Sequence, residues 1–128
     1  MRAILNGGKL DGKRVLKTET IAQMSRNQMG PLRVLPMRTT KPAVSLDAEF
    51  FPGVEKSWGL TFQINEAEAP TGRSAGSLSW AGLGNTYYWI DPVKGLGGVF
   101  ATQILPFADS KALPLFYAFE TAIYDAVK

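Results

Sequence analysis

From Trp58 onward the chain changes rhythm. Trp58, Leu60, Phe62 and Ile64 alternate with Gly59, Thr61, Gln63 and Asn65. Period-two alternation of this kind describes a strand with one buried face. The rhythm returns in short bursts, each closed by turn residues. A second strand is predicted over about Ser77–Gly82, carrying Leu78 and Trp80, a third over Thr86–Ile90, and a fourth over about Gly97–Leu105. Glu66–Gly76 is a polar loop holding Pro70 and Gly72. Gly82-Leu83-Gly84-Asn85 joins the second strand to the third, and Asp91-Pro92 with Gly95 joins the third to the fourth. Connections this short require antiparallel neighbours.

Helical patterns flank this meander. Near the C-terminus, Phe116, Phe119, Ile123 and Val127 fall on one stripe of a helix over about Leu113–Val127. Asp109 or Ser110 caps it, and Pro114 fits its first turn. A shorter helix is predicted over about Glu19–Gln28, capped by Thr18 and stopped by Gly30-Pro31. Met1–Asn6 ends in Gly7-Gly8 and reads as the last turn of a helix whose body is missing. Pro31, Pro36, Pro42 and Pro52 make residues 31–57 irregular, and a connection that long often covers a site or packs on other structure. The fold class is α+β: an antiparallel sheet meander followed by a C-terminal helix. The chain is expected to be a single partial domain, with a helix and irregular segment in 1–57, strands in 58–105 and the C-terminal helix in 106–128.

Composition narrows the chemistry. The 128 residues are the size of one ordinary domain, and 45% hydrophobic content supplies a core. There is no cysteine and no histidine. That removes thiolate nucleophiles, Ser-His-Asp catalysis, and cysteine- or histidine-ligated metals. The acid pairs Glu66/Glu68 and Asp47/Glu49 read as solvated loop residues, and Asp91 before Pro92 as a turn residue. No metal or cofactor is expected. No apolar run is long enough to span a bilayer, and the start lacks a secretory h-region, so neither a membrane nor a signal peptide is expected.

Charge is unevenly placed. Residues 1–42 hold nine Lys/Arg against Asp11 and Glu19, and residues 43–128 hold five Lys/Arg against nine Asp/Glu. A non-catalytic module binding single-stranded nucleic acid is therefore an alternative reading. The aromatic strands, however, lie in the acidic half, which argues against it.

The nucleophile search comes back empty. A serine activated by lysine shows S-x-x-K, one helical turn apart. Ser25, Ser45, Ser57, Ser74, Ser77, Ser79 and Ser110 all lack a lysine three residues on. No G-K-[ST] phosphate loop occurs.

The stretch from Gly76 to Val99, GSLSWAGLGNTYYWIDPVKGLGGV, with Leu5-Asn6-Gly7-Gly8 and Leu10-Asp11-Gly12 upstream, resembles the C-terminal portion of the serine β-lactamase/penicillin-binding-protein-like hydrolases. The resemblance is to the class C-like branch that includes carboxylesterases. It implies that Trp80-Ala81-Gly82 is the third motif of that family, on the strand beside the nucleophile. It also implies that the backbone N–H of Leu83 is the second donor of an oxyanion hole, aimed where negative charge develops. The sequence departs from the family in lacking S-x-x-K and Y-x-N: Tyr87, Tyr88, Tyr117 and Tyr124 have no asparagine two residues on. Trp80 and Ala81 stand where many β-lactamases use lysine and threonine to hold a substrate carboxylate, which favours an esterase-like parent. No catalytic residue is therefore expected in this chain, which would be a C-terminal fragment inactive alone. Its expected partners are the missing N-terminal portion of the fold or a second copy, with a small ester or lactam as the parent's substrate. A non-catalytic relative that kept the fold stays open. Trp80 itself stays open between a motif residue and a strand aromatic packed in the core.

Overall fold

The protein's structure is a computed structural model that describes residues 1–127; the last residue of the predicted 106–128 segment lies outside the described residues. The N-terminal segment folds as α1 (Arg2–Leu5), a small hairpin of β1 (Lys9–Leu10) and β2 (Lys13–Arg14), and α2 (Thr18–Met24). Asp11 and Gly12 form the hairpin turn, both with positive φ, as a two-residue turn between twisted strands requires. Five further strands follow: β3 (Lys56–Trp58), β4 (Gln63–Asn65), β5 (Leu78–Gly82), β6 (Thr86–Asp91) and β7 (Leu96–Phe100). They form one antiparallel sheet in chain order, and α3 (Ala112–Ala126) closes the fold. The α+β class, with meander and C-terminal helix, stands.

Four expectations about the elements need correction. The predicted strand through Trp58 and Ile64 is a hairpin. Lys56–Trp58 pairs with Gln63–Asn65, and the Gly59 N–H donates to the Phe62 carbonyl at 2.8 Å. The alternation misled because it runs unbroken through a reversal. Gly59 marks the reversal: a Cβ there would lie 1.8 Å from the Met24 carbonyl oxygen.

The predicted Glu19–Gln28 helix ends at Met24 instead. Gln28 leaves it to donate its N–H to the Trp58 carbonyl, and Val34 does the same to Lys56, so this stretch lines the outer side of β3. Thr18 lies inside α2 rather than capping it, and its hydroxyl turns to the Gly7 carbonyl.

The fourth predicted strand stops at Phe100 rather than Leu105. Beyond it the chain leans on the turn after β5, where Ile104 N–H and the Thr102 hydroxyl both meet the Gly84 carbonyl.

The apolar stripe on α3 is rotated. Ala112, Phe116, Glu120 and Tyr124 are buried, while Phe119 and Val127 are exposed. A glutamate in the buried row hides this face from any hydrophobic pattern. Of the two capping candidates, Asp109 does the work: its carboxylate accepts the N–H groups of Lys111 and Ala112, each at 2.9 Å.

The sheet has an apolar cluster on each side. Between sheet and α3 lie Phe50, Phe51, Tyr87, Trp89, Phe116 and Tyr124. On the other side Phe62, Ile64, Leu78 and Ile90 pack with Ile4, Leu5 and Met24. Residues 31–57 are irregular as expected, apart from β3, but they are not loose. Met37 and Ala48 exchange backbone hydrogen bonds, and Leu46 and Val44 bond the backbone of Phe107. This stitching delivers Phe50 and Phe51 to the core. Burial of each such aromatic contributes about 1.5–3 kcal/mol. Gly98 completes the packing: it pairs with Trp89, and a Cβ there would meet the indole at 2.2 Å.

Candidate active-site wall

The candidate residues sit where β5 outruns its neighbour. β4 pairs with β5 only through Gln63 opposite Ser79 and Ile64 opposite Leu78. Trp80, Ala81 and Gly82 continue to pair with β6, opposite Tyr88, Tyr87 and Thr86. On the β4 side no described strand lies beside them. Backbone groups in an antiparallel strand point alternately to the two sides. The Ser77 carbonyl accepts the Asn65 N–H, so it faces β4. Ser79 and Ala81 share that direction, and Leu83 opens the turn that follows. Trp80-Ala81-Gly82 thus presents an open backbone edge.

Its side chains fit the same description. Trp80 is half-buried, with its ring 4.6 Å from that of Trp58 and 6.1 Å from that of Phe50, both edge-on. The indole therefore packs on the core and borders the edge. Gly82 and Leu83 are exposed. A Cβ on Gly82 would find its nearest neighbour, Thr86 Cβ, at 3.8 Å. Nothing within the described residues crowds it, so the free space beside Gly82 opens outward. Close approach applies instead at Gly84, where a Cβ would lie 3.3 Å from the Thr102 carbonyl oxygen.

The remaining polar groups serve the fold. Glu66 accepts the Ser57 hydroxyl, and Asp47 accepts from Arg38 and the Thr39 N–H at 2.7 and 2.8 Å. Those two bonds hold the Asp47 carboxyl below its ordinary range, the backbone bond foremost. Among the described residues no cluster of carboxylates could hold a metal ion, and no helix is long and apolar enough to cross a membrane. Lys56, which burial pushes down from its ordinary value, turns its ammonium to the Phe51 and Val54 carbonyls rather than to a serine. Burial pushes the phenols of Tyr87 and Tyr117 up to about 12, so at neutral pH both stay protonated. Tyr87 and Trp89 are wholly buried and offer no platform for stacking bases.

The expectation that no G-x-S-x-G elbow exists needs one correction, because the spacing itself occurs at Gly72-Arg73-Ser74-Ala75-Gly76. A nucleophile elbow needs a strand-turn-helix with an exposed serine. Here the five residues lie in the loop between β4 and β5, and the Ser74 N–H is bound to Asp91 Oδ2 at 3.0 Å. Arg73 is buried in an ion pair with Glu120, which also accepts the Thr71 hydroxyl at 2.6 Å. Asp91 is more than the expected turn residue. It accepts from Ser74, Val93 and Lys94 N–H groups and from the Tyr124 hydroxyl, which in turn accepts the Trp89 indole N–H.

The space beside Trp80, Phe50 and Arg73 amounts to about 10 Å³, too small for more than a water. A groove of about 320 Å³ lies on the opposite side of the sheet, lined by Met1, Ile4, Phe62, Tyr88, Ile90 and Val99.

The overall fold also occurs in solved structures. Unliganded simvastatin synthase (LovD) from Aspergillus terreus superposes with a TM-score of 0.71 and 25% identity over 95% of this chain and 31% of that one. The LovD9 mutant of the same enzyme gives 0.73 and 22% identity over 98% of this chain and 32% of that one. A penicillin-binding protein homologue from Caulobacter crescentus gives 0.59 and 22% identity over 94% and 29%. This chain has the C-terminal part of a β-lactamase/penicillin-binding-protein-like fold. It spans under a third of the length of these structures. No family model matches the sequence, and no curated protein sequence does. Within this fold Trp80-Ala81-Gly82 lies on the third strand of the five-stranded sheet, flanked by β4 and β6.

Proposed function

We propose that the chain supplies one wall of a serine acyl-enzyme site, the wall that carries the third motif and one oxyanion donor. The open backbone edge at Trp80-Ala81-Gly82-Leu83 is the observation that carries this reading. A developing oxyanion needs fixed N–H donors, and a strand end left unpaired on one side beside a glycine offers one without a side chain in the way. The nucleophile, its lysine and the tyrosine of Y-x-N come from the rest of the fold. That remainder docks where this chain is unfinished: along the β5 edge, on the free side of β7, and over the apolar groove at Met1, Ile4 and Val99. The parent's substrate is a small ester or lactam. Trp80 and Ala81 offer no cation or hydroxyl for a substrate carboxylate, which favours an uncharged ester.

The test has two parts. The purified 128-residue chain should turn over neither a p-nitrophenyl ester nor a chromogenic β-lactam, and clear turnover would sink the proposal. The coding sequence upstream of Met1 should contain S-x-x-K and then Y-x-N. A reading frame there without either would favour a relative that kept the fold without the chemistry.

A further inference from the structure

We propose that Asn85 is the positioning residue that holds the Leu83 N–H at the edge of the site, through a buried bracket to residues 102–109. The inference rests on the reading of Leu83 as a donor. Leu83-Gly84-Asn85 is the turn between β5 and β6, and short hairpin turns hold themselves without help. This one is bolted down. Asn85 has a left-handed φ of 57° and its side chain is fully buried. Its Nδ2 donates to the Ile104 and Pro106 carbonyls, each at 2.8 Å. Its Oδ1 accepts the Tyr87 hydroxyl at 2.6 Å and the Asp109 N–H at 3.0 Å. Both donors and both lone pairs are used. The pattern also fixes which end of the amide is which, since a flipped amide would set donor against donor and oxygen against oxygen.

The turn's own backbone is held as well. The Thr102 hydroxyl lies 2.7 Å from the Gly84 carbonyl and 3.0 Å from that of Asn85. The Thr86 hydroxyl returns a bond to the Thr102 carbonyl at 3.1 Å. Asp109, reached by Asn85, also caps α3. One amide therefore ties the turn to β6, to the segment after β7 and to the start of the C-terminal helix. Leu83 itself has an exposed side chain that anchors nothing. Its N–H can be fixed only through the turn, and a site donor must be held to within about 0.5 Å.

Backbone ¹⁵N relaxation on the full chain tests this without any substrate, so the result is independent of whether the N–H ever meets an oxyanion. The ester assay tests that separate point. Asn85→Gly keeps the left-handed conformation and removes the bracket. Tyr124→Phe, which loses buried hydrogen bonds far from the turn, controls for general destabilisation. The Leu83 order parameter should fall from about 0.85 to below about 0.6 in Asn85→Gly and stay unchanged in Tyr124→Phe. Thr102→Val should show a smaller fall in the same direction and serves alone if Asn85→Gly does not fold. An unchanged Leu83 in Asn85→Gly, or in Thr102→Val when it stands alone, or an equal fall in Tyr124→Phe, overturns the assignment.

Discussion

The buried Arg73–Glu120 pair can be tested by removing one charge or both. Arg73 and Glu120 are almost fully buried, with relative side-chain exposures of 2% and 0%. Arg73 Nε donates to Glu120 Oε1 at 2.8 Å, its second nitrogen reaches Oε2, and Thr71 completes the first oxygen. The guanidinium also lies 5.0 Å from the centre of the Phe51 ring and 6.0 Å from that of Trp89. Glu120→Gln keeps the shape and strands the arginine's charge in a dry site. Breaking one side of such a pair costs about 3–5 kcal/mol. Set against a domain stability of about 5–15 kcal/mol, that is roughly a fifth or more of the total. At this chain length it corresponds to a fall in Tm of roughly 10–20 °C.

The double variant Arg73→Met/Glu120→Met decides the mechanism. Replacing both charges removes the desolvation penalty together with the attraction, so it should cost only about 0–2 kcal/mol. Urea unfolding of the wild type, the two single variants and the double variant gives the coupling directly. Glu120→Gln within about 1 kcal/mol of wild type, or a double variant as costly as the two singles summed, would refute the reasoning.

Three further outcomes follow from the geometry. Burial alone would raise Asp91, but the Ser74 and Lys94 N–H groups and the Tyr124 hydroxyl outweigh it and hold the carboxyl below its ordinary range. Its stabilisation is therefore complete above the ordinary aspartate value of about 3.9 and is lost as pH falls through the lowered folded value, so Asp91→Asn should flatten the pH dependence of the urea midpoint in that acid window. Gly98→Ala should displace Trp89, whose ring atoms would lie 2.2–2.9 Å from the new Cβ, with a loss of at least about 1–3 kcal/mol and a changed tryptophan emission. Gly82→Ala should leave stability within about 0.5 kcal/mol, because its Cβ meets only Thr86 at 3.8 Å; a large loss in thermal unfolding would show that the open edge is closed within the chain.

The meander and the C-terminal helix were legible because their signals are local. Alternation, glycine turns and the Asp109 cap each act over a few residues. What the sequence hid depended on partners far away in the chain. Glu120 is buried because Arg73, 47 residues earlier, neutralises it. No pattern that treats glutamate as a surface residue could rotate α3 correctly. The reversal at Gly59 was hidden for a similar reason, since the atom that demands glycine is a carbonyl in α2. The site was legible only as a motif. W-x-G named the strand, but the open edge depends on where β4 stops pairing, and Asn85 looked like an ordinary turn residue.

That division explains how a piece of this size keeps its shape while leaving an edge bare. The groups that fix the fold, Arg73–Glu120, Trp89–Tyr124–Asp91 and the Asn85 bracket, all lie within the chain and satisfy one another. They clamp β5, β6 and α3 independently of anything docked on the β4 side. A backbone donor depends on such clamping, because its direction is set by the strand and turn that carry it rather than by a rotamer. On the reading proposed above, the wall is thus held by groups of this chain alone. On that reading recognition on this side falls to main-chain groups, whose chemistry no side-chain inventory displays.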